Sequence, residues 1–130
     1  MKYQLAPKVN YWIYPALIMP TELDNKIEQF MQCFYKATGT NDYLLKGKSR
    51  KQEHVIHRQL AMYLVYNQFE TSYANIGKYF GKDHATVLYA TKMVKNAMEV
   101  DKRYPDYFSR VVNYMKENYL EFNVKNLLVK

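Results

Sequence analysis

The stretch Tyr73 to Val87, YANIGKYFGKDHATV, constrains the fold of this chain more than any other. Thr71 or Ser72 can cap the free N–H groups of a first helix that runs to about Tyr79. Ile76, Tyr79 and Phe80 recur at helical spacing and predict a side turned to a core. Gly81 stands where a helix end needs a left-handed residue. Asp83 suits the N-cap of a second helix whose first turn carries His84, Ala85 and Thr86. The pattern is helix, tight turn, helix. The start of the second helix shows polar side chains and a positive dipole end on the side away from the core. In a helix-turn-helix, that end enters the major groove of a duplex and touches base edges.

Charge and length narrow the reading. A chain of 130 residues is enough for one domain and one core. Nineteen Lys and Arg against twelve Asp and Glu favour an anionic partner, either nucleic acid or an acidic membrane surface. The single cysteine, Cys33, rules out an intramolecular disulfide, fits a reducing compartment and lies in an apolar helical stretch that makes it core packing. Trp12 to Met19 is apolar but short, is broken by Pro15 and lacks a basic n-region with a clear cleavage site. Neither a membrane span nor a signal peptide is expected there, so a cytoplasmic location is. Fourteen tyrosines in a basic protein could stack single-stranded bases. Tyr63, Tyr66, Tyr73, Tyr79 and Tyr89 fall mostly inside helical patterns, however, and packing with the hydroxyl at water is the favoured reading.

Along the chain the elements read as helices throughout. Residues 1–20 hold three of the four prolines and show no clear period, which predicts an extended arm or a partner-binding segment. Thr21 and Asp24 resemble a capping box with Asp in place of Glu or Gln. Leu23, Ile27, Phe30, Met31 and Phe34 then mark an apolar stripe that Gly39 ends. Asn41 and Asp42 suit a turn or a new cap, and Tyr43, Leu44 and Leu45 a short apolar patch. Lys46, Lys48, Arg50 and Lys51 form a basic run around Gly47. Ser49 and Gln52 predict a second capping box before a long helix to about Asn67, with Val55, Leu60, Ala61, Met62, Tyr63 and Tyr66 inward. The helix from His84 should run to about Val100 with Val87, Leu88, Ala90, Val94, Ala97 and Met98 inward and Lys92, Lys95, Asn96 and Glu99 outward. Pro105 predicts a break before a last helix carrying Tyr107, Val111, Val112, Tyr114, Met115 and Tyr119. The expected class is all-α: an arm over 1–20, a helical domain over 21–103, and a C-terminal helix and tail over 104–130.

Lys48 to about Met98 resembles the C-terminal DNA-binding domain of the bacterial chromosomal replication initiator DnaA. The resemblance rests on KSRKQEHVIHRQLAMYL from Lys48 to Leu64, on the Ser-Tyr-Ala-Asn-Ile-Gly run from Ser72 to Gly77, and on FGKDHATV from Phe80 to Val87 with its Leu-Tyr-Ala continuation. It implies recognition of short boxes in double-stranded DNA. The family reads the major groove through a Gly-Arg-Asp-His-Thr-Thr signature, whose Asp, His and second Thr match Asp83, His84 and Thr86. An arginine of the basic segment that enters the adjacent minor groove matches Arg50. An Arg-Gln pair near the DNA backbone matches Arg58 and Gln59. The expected contact set is Arg50, Arg58, Gln59, Ser72, Lys82, Asp83, His84, Ala85 and Thr86.

The departures bear on specificity. The family has two glycines and an arginine before the Asp-His pair, whereas this chain has Gly81 and Lys82, so the loop is one residue shorter. Lysine cannot make the planar two-pronged contact of arginine. Ala85 replaces the first Thr and keeps only a methyl, which suits thymine. Gly47, Lys48 and Ser49 spell the end of a phosphate-binding loop, but Asp42 stands where its first glycine belongs. That match is read as chance, and a protein without ATPase activity or cofactor is expected.

Bland readings stand beside these. Asp83 is a helix cap as well as a candidate acceptor for a base amino group, and both can hold because the cap uses one carboxylate oxygen. His54 and His57 have a spacing compatible with two metal ligands, but no third is evident, and no metal is expected. Gly77 inside a helix predicts a close approach within the helix-turn-helix. The rival to DNA binding is a protein-interaction module of a replication or mobile-element system, with a replication protein as its partner. The oligomeric state is left open by the sequence.

Overall fold

The computed structural model describes residues 21–118. The arm expected over 1–20 and the tail beyond residue 118 lie outside the described residues. Within them every regular element is a helix, and their order is α1 (Glu22–Thr38), α2 (Asp42–Lys46), α3 (Gln52–Phe69), α4 (Tyr73–Phe80), α5 (His84–Val100) and α6 (Arg103–Asn118). None of them is long and apolar enough to cross a membrane.

Local chemistry sets most of the helix ends. Thr21 Oγ1 accepts the Asp24 amide at 3.0 Å and Asp24 returns a carboxylate to the Thr21 amide at 3.1 Å, so the capping box forms with the shorter acid. Gly39 closes α1 in the left-handed region at φ 73°. Asn41 caps α2 by accepting the Leu44 amide at 2.9 Å.

Two expected ends are different. The Ser49–Gln52 box does not form. Lys51 is the N-cap of α3 and offers no side-chain bond, because Ser49 Oγ meets His54 Nδ1 at 2.9 Å instead. Pro105 does not break the chain before α6 but lies in its first turn. A proline is tolerated there because the amides of a first turn have no intrahelical acceptor to lose. The break falls at Asp101, which ends α5 and accepts the Arg103 amide at 3.1 Å.

Helix α3 is the axis of the molecule and touches each of the other helices. It buries Ile56, His57 and the unbroken run Leu60 to Val65, while Val55 and Tyr66, expected inside, are only half-buried. Leu60, Ala61, Met62 and Tyr63 are buried as expected, but a helix enclosed by neighbours needs no single apolar stripe, and the buried set extends to Ile56, His57, Leu64 and Val65. Around it α1 and α6 pack together through Ile27, Phe30, Met31 and Phe34 on one side and Phe108, Val111 and Met115 on the other. On the far side α4 and α5 close over α3 with Ile76, Phe80, Val87, Ala90 and Val94. All these residues belong to one core, so α6 completes the same body that carries the turn between α4 and α5.

Candidate nucleic-acid interface

The turn between α4 and α5 is built from backbone contacts. Ser72 Oγ caps α4 by accepting the Asn75 amide at 3.1 Å. Ile76 and Phe80 are fully buried and pin α4 to the core. Gly81 takes the left-handed conformation at φ 71°, and the Lys82 amide then donates to the Gly77 carbonyl at 2.8 Å. Gly77 is required by this fold-back: a Cβ there would lie 2.4 Å from the Lys82 carbonyl oxygen. The close approach expected at Gly77 is thus made by the turn itself.

Asp83 opens α5. Its Oδ1 accepts both the Thr86 amide at 2.8 Å and the Thr86 hydroxyl at 2.7 Å. These bonds, the hydroxyl first, hold the Asp83 carboxyl below the usual carboxylate value, so it remains ionised at neutral pH. Asp83, His84, Ala85 and Thr86 are all exposed, whereas Val87 directly after them is fully buried. The first turn of α5 is therefore a polar and anchored end facing away from the core.

The basic run lies between α2 and α3. Lys48, Arg50 and Lys51 are exposed. Lys46 is engaged within the protein, 3.1 Å from the Asp42 carboxylate and 4.1 Å from the centre of the Tyr79 ring. Lys82 Nζ reaches back from the turn to the Gly47 carbonyl at 3.4 Å, which brings the basic loop beside the start of α5. Residues distant in the chain, Arg50 and Asp83 to Thr86, are thereby carried by adjoining segments.

Arg58 and Gln59 make contacts that the sequence did not suggest. The Arg58 guanidinium donates to the carbonyls of Leu45 at 2.7 Å, Leu44 at 3.1 Å and Ser49 at 3.3 Å. Gln59 accepts the Tyr104 hydroxyl at 2.7 Å and so ties α3 to α6. Both residues line a shallow cleft with Val55, Met62, Thr86, Tyr89 and Ala90. Thr86 of α5 and the Arg58-Gln59 pair of α3 therefore face a common hollow.

Tyr89, expected to pack, is 61 % exposed. Ala85, Tyr89 and Lys92 follow at i, i+4 and i+7 and are all exposed, so they form a stripe continuing from the polar end of α5. The complement of the inward stripe would have revealed it in the sequence.

The two histidines of α3 have separate environments. His54 pairs with Ser49, while His57 is buried with its ring centre 4.6 Å from that of Tyr107. Among the described residues no group of three His, Cys, Asp or Glu side chains is placed to hold a metal ion.

The short capped helix α4, the glycine turn and the exposed N-terminal end of α5 define a helix-turn-helix protein. The model of the bacterial dnaA protein helix-turn-helix matches residues 27–94, just over half of the chain, and the chain belongs to that family. It is 48 % identical over 71 residues, 54 % of its length, to a chromosomal replication initiator protein DnaA of Bacteroides thetaiotaomicron. It is 45 % identical over 80 residues, 61 % of its length, to that of Bacteroides fragilis. To that of Thermus thermophilus it is 38 % identical over 87 residues, 66 % of its length. These matches cover only 15 %, 16 % and 20 % of the relatives' own lengths, and the family match lies on the helix-turn-helix domain.

Proposed function

We propose that this chain binds double-stranded DNA selectively, in a replication accessory or regulatory role and without chemistry of its own. The first turn of α5, Asp83 to Thr86, reads base edges in the major groove. Arg50 enters the neighbouring minor groove, where a narrow A/T-rich segment attracts arginine. Lys48 and Lys51 add phosphate contacts that supply affinity but no sequence information. The observation that carries this reading is the exposed Asp83–Thr86 end of α5, anchored by its cap and set beside the basic loop through the Lys82–Gly47 contact. Membership of the helix-turn-helix family supports it. The names of the relatives, chromosomal replication initiator proteins, favour a role in replication.

Lys82 and Ala85 make the box read by this chain its own. Lys82 already has a carbonyl partner, and Ala85 offers a methyl to a thymine.

The test is selection from a randomised duplex pool at physiological salt, followed by sequencing of the bound fraction. An enriched box whose enrichment is lost in His84→Ala supports the reading. Retention without enrichment leaves a non-specific DNA coat. Absence of retention even at low salt favours the protein-interaction module, with a replication protein as partner.

A further inference from the structure

We propose that Arg58 and Lys82 are positioning residues, which hold the basic loop carrying Arg50 in register with the start of α5. The proposal rests on the DNA-binding reading for its consequence, and on the geometry of the free protein for its mechanism.

Helix α2 has only five residues, so most of its carbonyls have no partner within the helix. Arg58 satisfies two of them, those of Leu44 and Leu45, and with the same guanidinium takes the Ser49 carbonyl on the other side of the loop. One rigid fork thus spans the loop from its entry to the residue before Arg50. Burial presses the guanidinium pKa below its ordinary value, yet the group stays charged, facing carbonyl dipoles.

The loop between these anchor points is tight. A Cβ on Gly47 would meet the Tyr43 carbonyl oxygen at 2.8 Å. The Gly47 carbonyl accepts Lys82 Nζ, and Lys82 directly precedes Asp83. Ser49, fixed through its carbonyl by Arg58, also takes the Lys51 amide at 3.3 Å and His54 Nδ1 on its hydroxyl. Arg50 therefore stands between two residues whose backbones are held, and the loop is tethered to the turn that opens the reading helix. The distance between a minor-groove reader and a major-groove reader has to match the DNA, and these two cations set it.

Lysine at position 58 separates the two roles. It keeps the positive charge a phosphate contact needs, but its single ammonium lacks the planar fork that spans the loop. The full chain is compared with Arg50→Ala, Arg58→Lys, Lys82→Met and the Arg50→Ala/Arg58→Lys double variant. Amide exchange without DNA is measured first. Faster exchange at Gly47 and Lys51 in Arg58→Lys and in Lys82→Met, with Val87 in α5 unchanged, is expected. Unchanged exchange in both variants overturns the proposal.

Binding to duplexes that differ only in A/T or G/C flanks is measured next. Arg58→Lys should lose the flank preference as Arg50→Ala does, and the double variant should match Arg50→Ala within about twofold, because the two act through one loop. Full retention of preference by Arg58→Lys, or an equal loss on every duplex, overturns it in favour of a phosphate contact. If the unaltered chain binds no duplex, the DNA-binding reading fails, and the exchange measurement alone decides whether these residues hold the loop.

Discussion

At Asp83 a single carboxylate oxygen takes both the amide and the hydroxyl of Thr86, and Oδ2 lies outside those two bonds. The cap therefore leaves Oδ2 for the proposed contact with a base. Asp83→Asn keeps a good capping residue but removes the charge. It should leave thermal unfolding nearly unchanged while altering the base preferred opposite it, and a large fall in Tm would show that the charge serves the fold. His84 directly follows and is exposed. His84→Ala should weaken the preferred duplex by about 1–3 kcal/mol and relax selectivity, as titrations against preferred and scrambled duplexes will show. Equal losses on both would assign His84 to the backbone. At this scale the sequence was partly legible. Asp83, Ser72 and Thr21 cap the helices expected because a cap depends on residues within one turn. Arg58 was not legible as a loop anchor, since its carbonyl partners lie 9 to 14 residues away and carbonyls carry no sequence signature.

Between α4 and α5 the turn closes against Gly77, whose missing side chain leaves room for the Lys82 carbonyl. Gly77→Ala keeps helix propensity but places a methyl against backbone that has no rotamer to escape by. A loss of about 1–3 kcal/mol is expected from such overpacking, measured by denaturant unfolding, with a loss of DNA selectivity as the turn moves. Unchanged stability would mean that the turn yields freely. Other elements show how local signals compete. Ser49 has the composition of a capping box with Gln52, but His54 and the Lys51 amide hold its hydroxyl. Pro105 reads as a stop, yet the first turn of α6 accepts it. Both signals were real and were settled by neighbours.

Across the whole molecule, enclosure of α3 decides what periodicity could not. His57 lies in that enclosed helix, and burial lowers its pKa from the ordinary 6.5, with the nearby charges of His54 and Arg110 lowering it further and Glu53 opposing. The folded state therefore binds a proton less readily than the unfolded chain. The stability from a neutral His57 is complete above about pH 6.5 and is lost as the pH falls from there through the lowered folded value. The melting temperature should drop between pH 7.5 and pH 5, and His57→Gln should make that slope shallower; an unaltered slope would place the dependence on other groups.

The helical class, the capped starts of α1, α4 and α5, the glycine turn and the exposed polar end Asp83–Thr86 were determined by the sequence, because each depends on residues within a turn or two of one another. Only the tertiary structure decided which faces of α3 are buried and where Arg58, Gln59 and Lys82 direct their polar groups. Those outcomes depend on which helices lie beside each residue. A side chain that packing brings to a distant carbonyl is chosen by geometry, and no local pattern encodes that carbonyl's position.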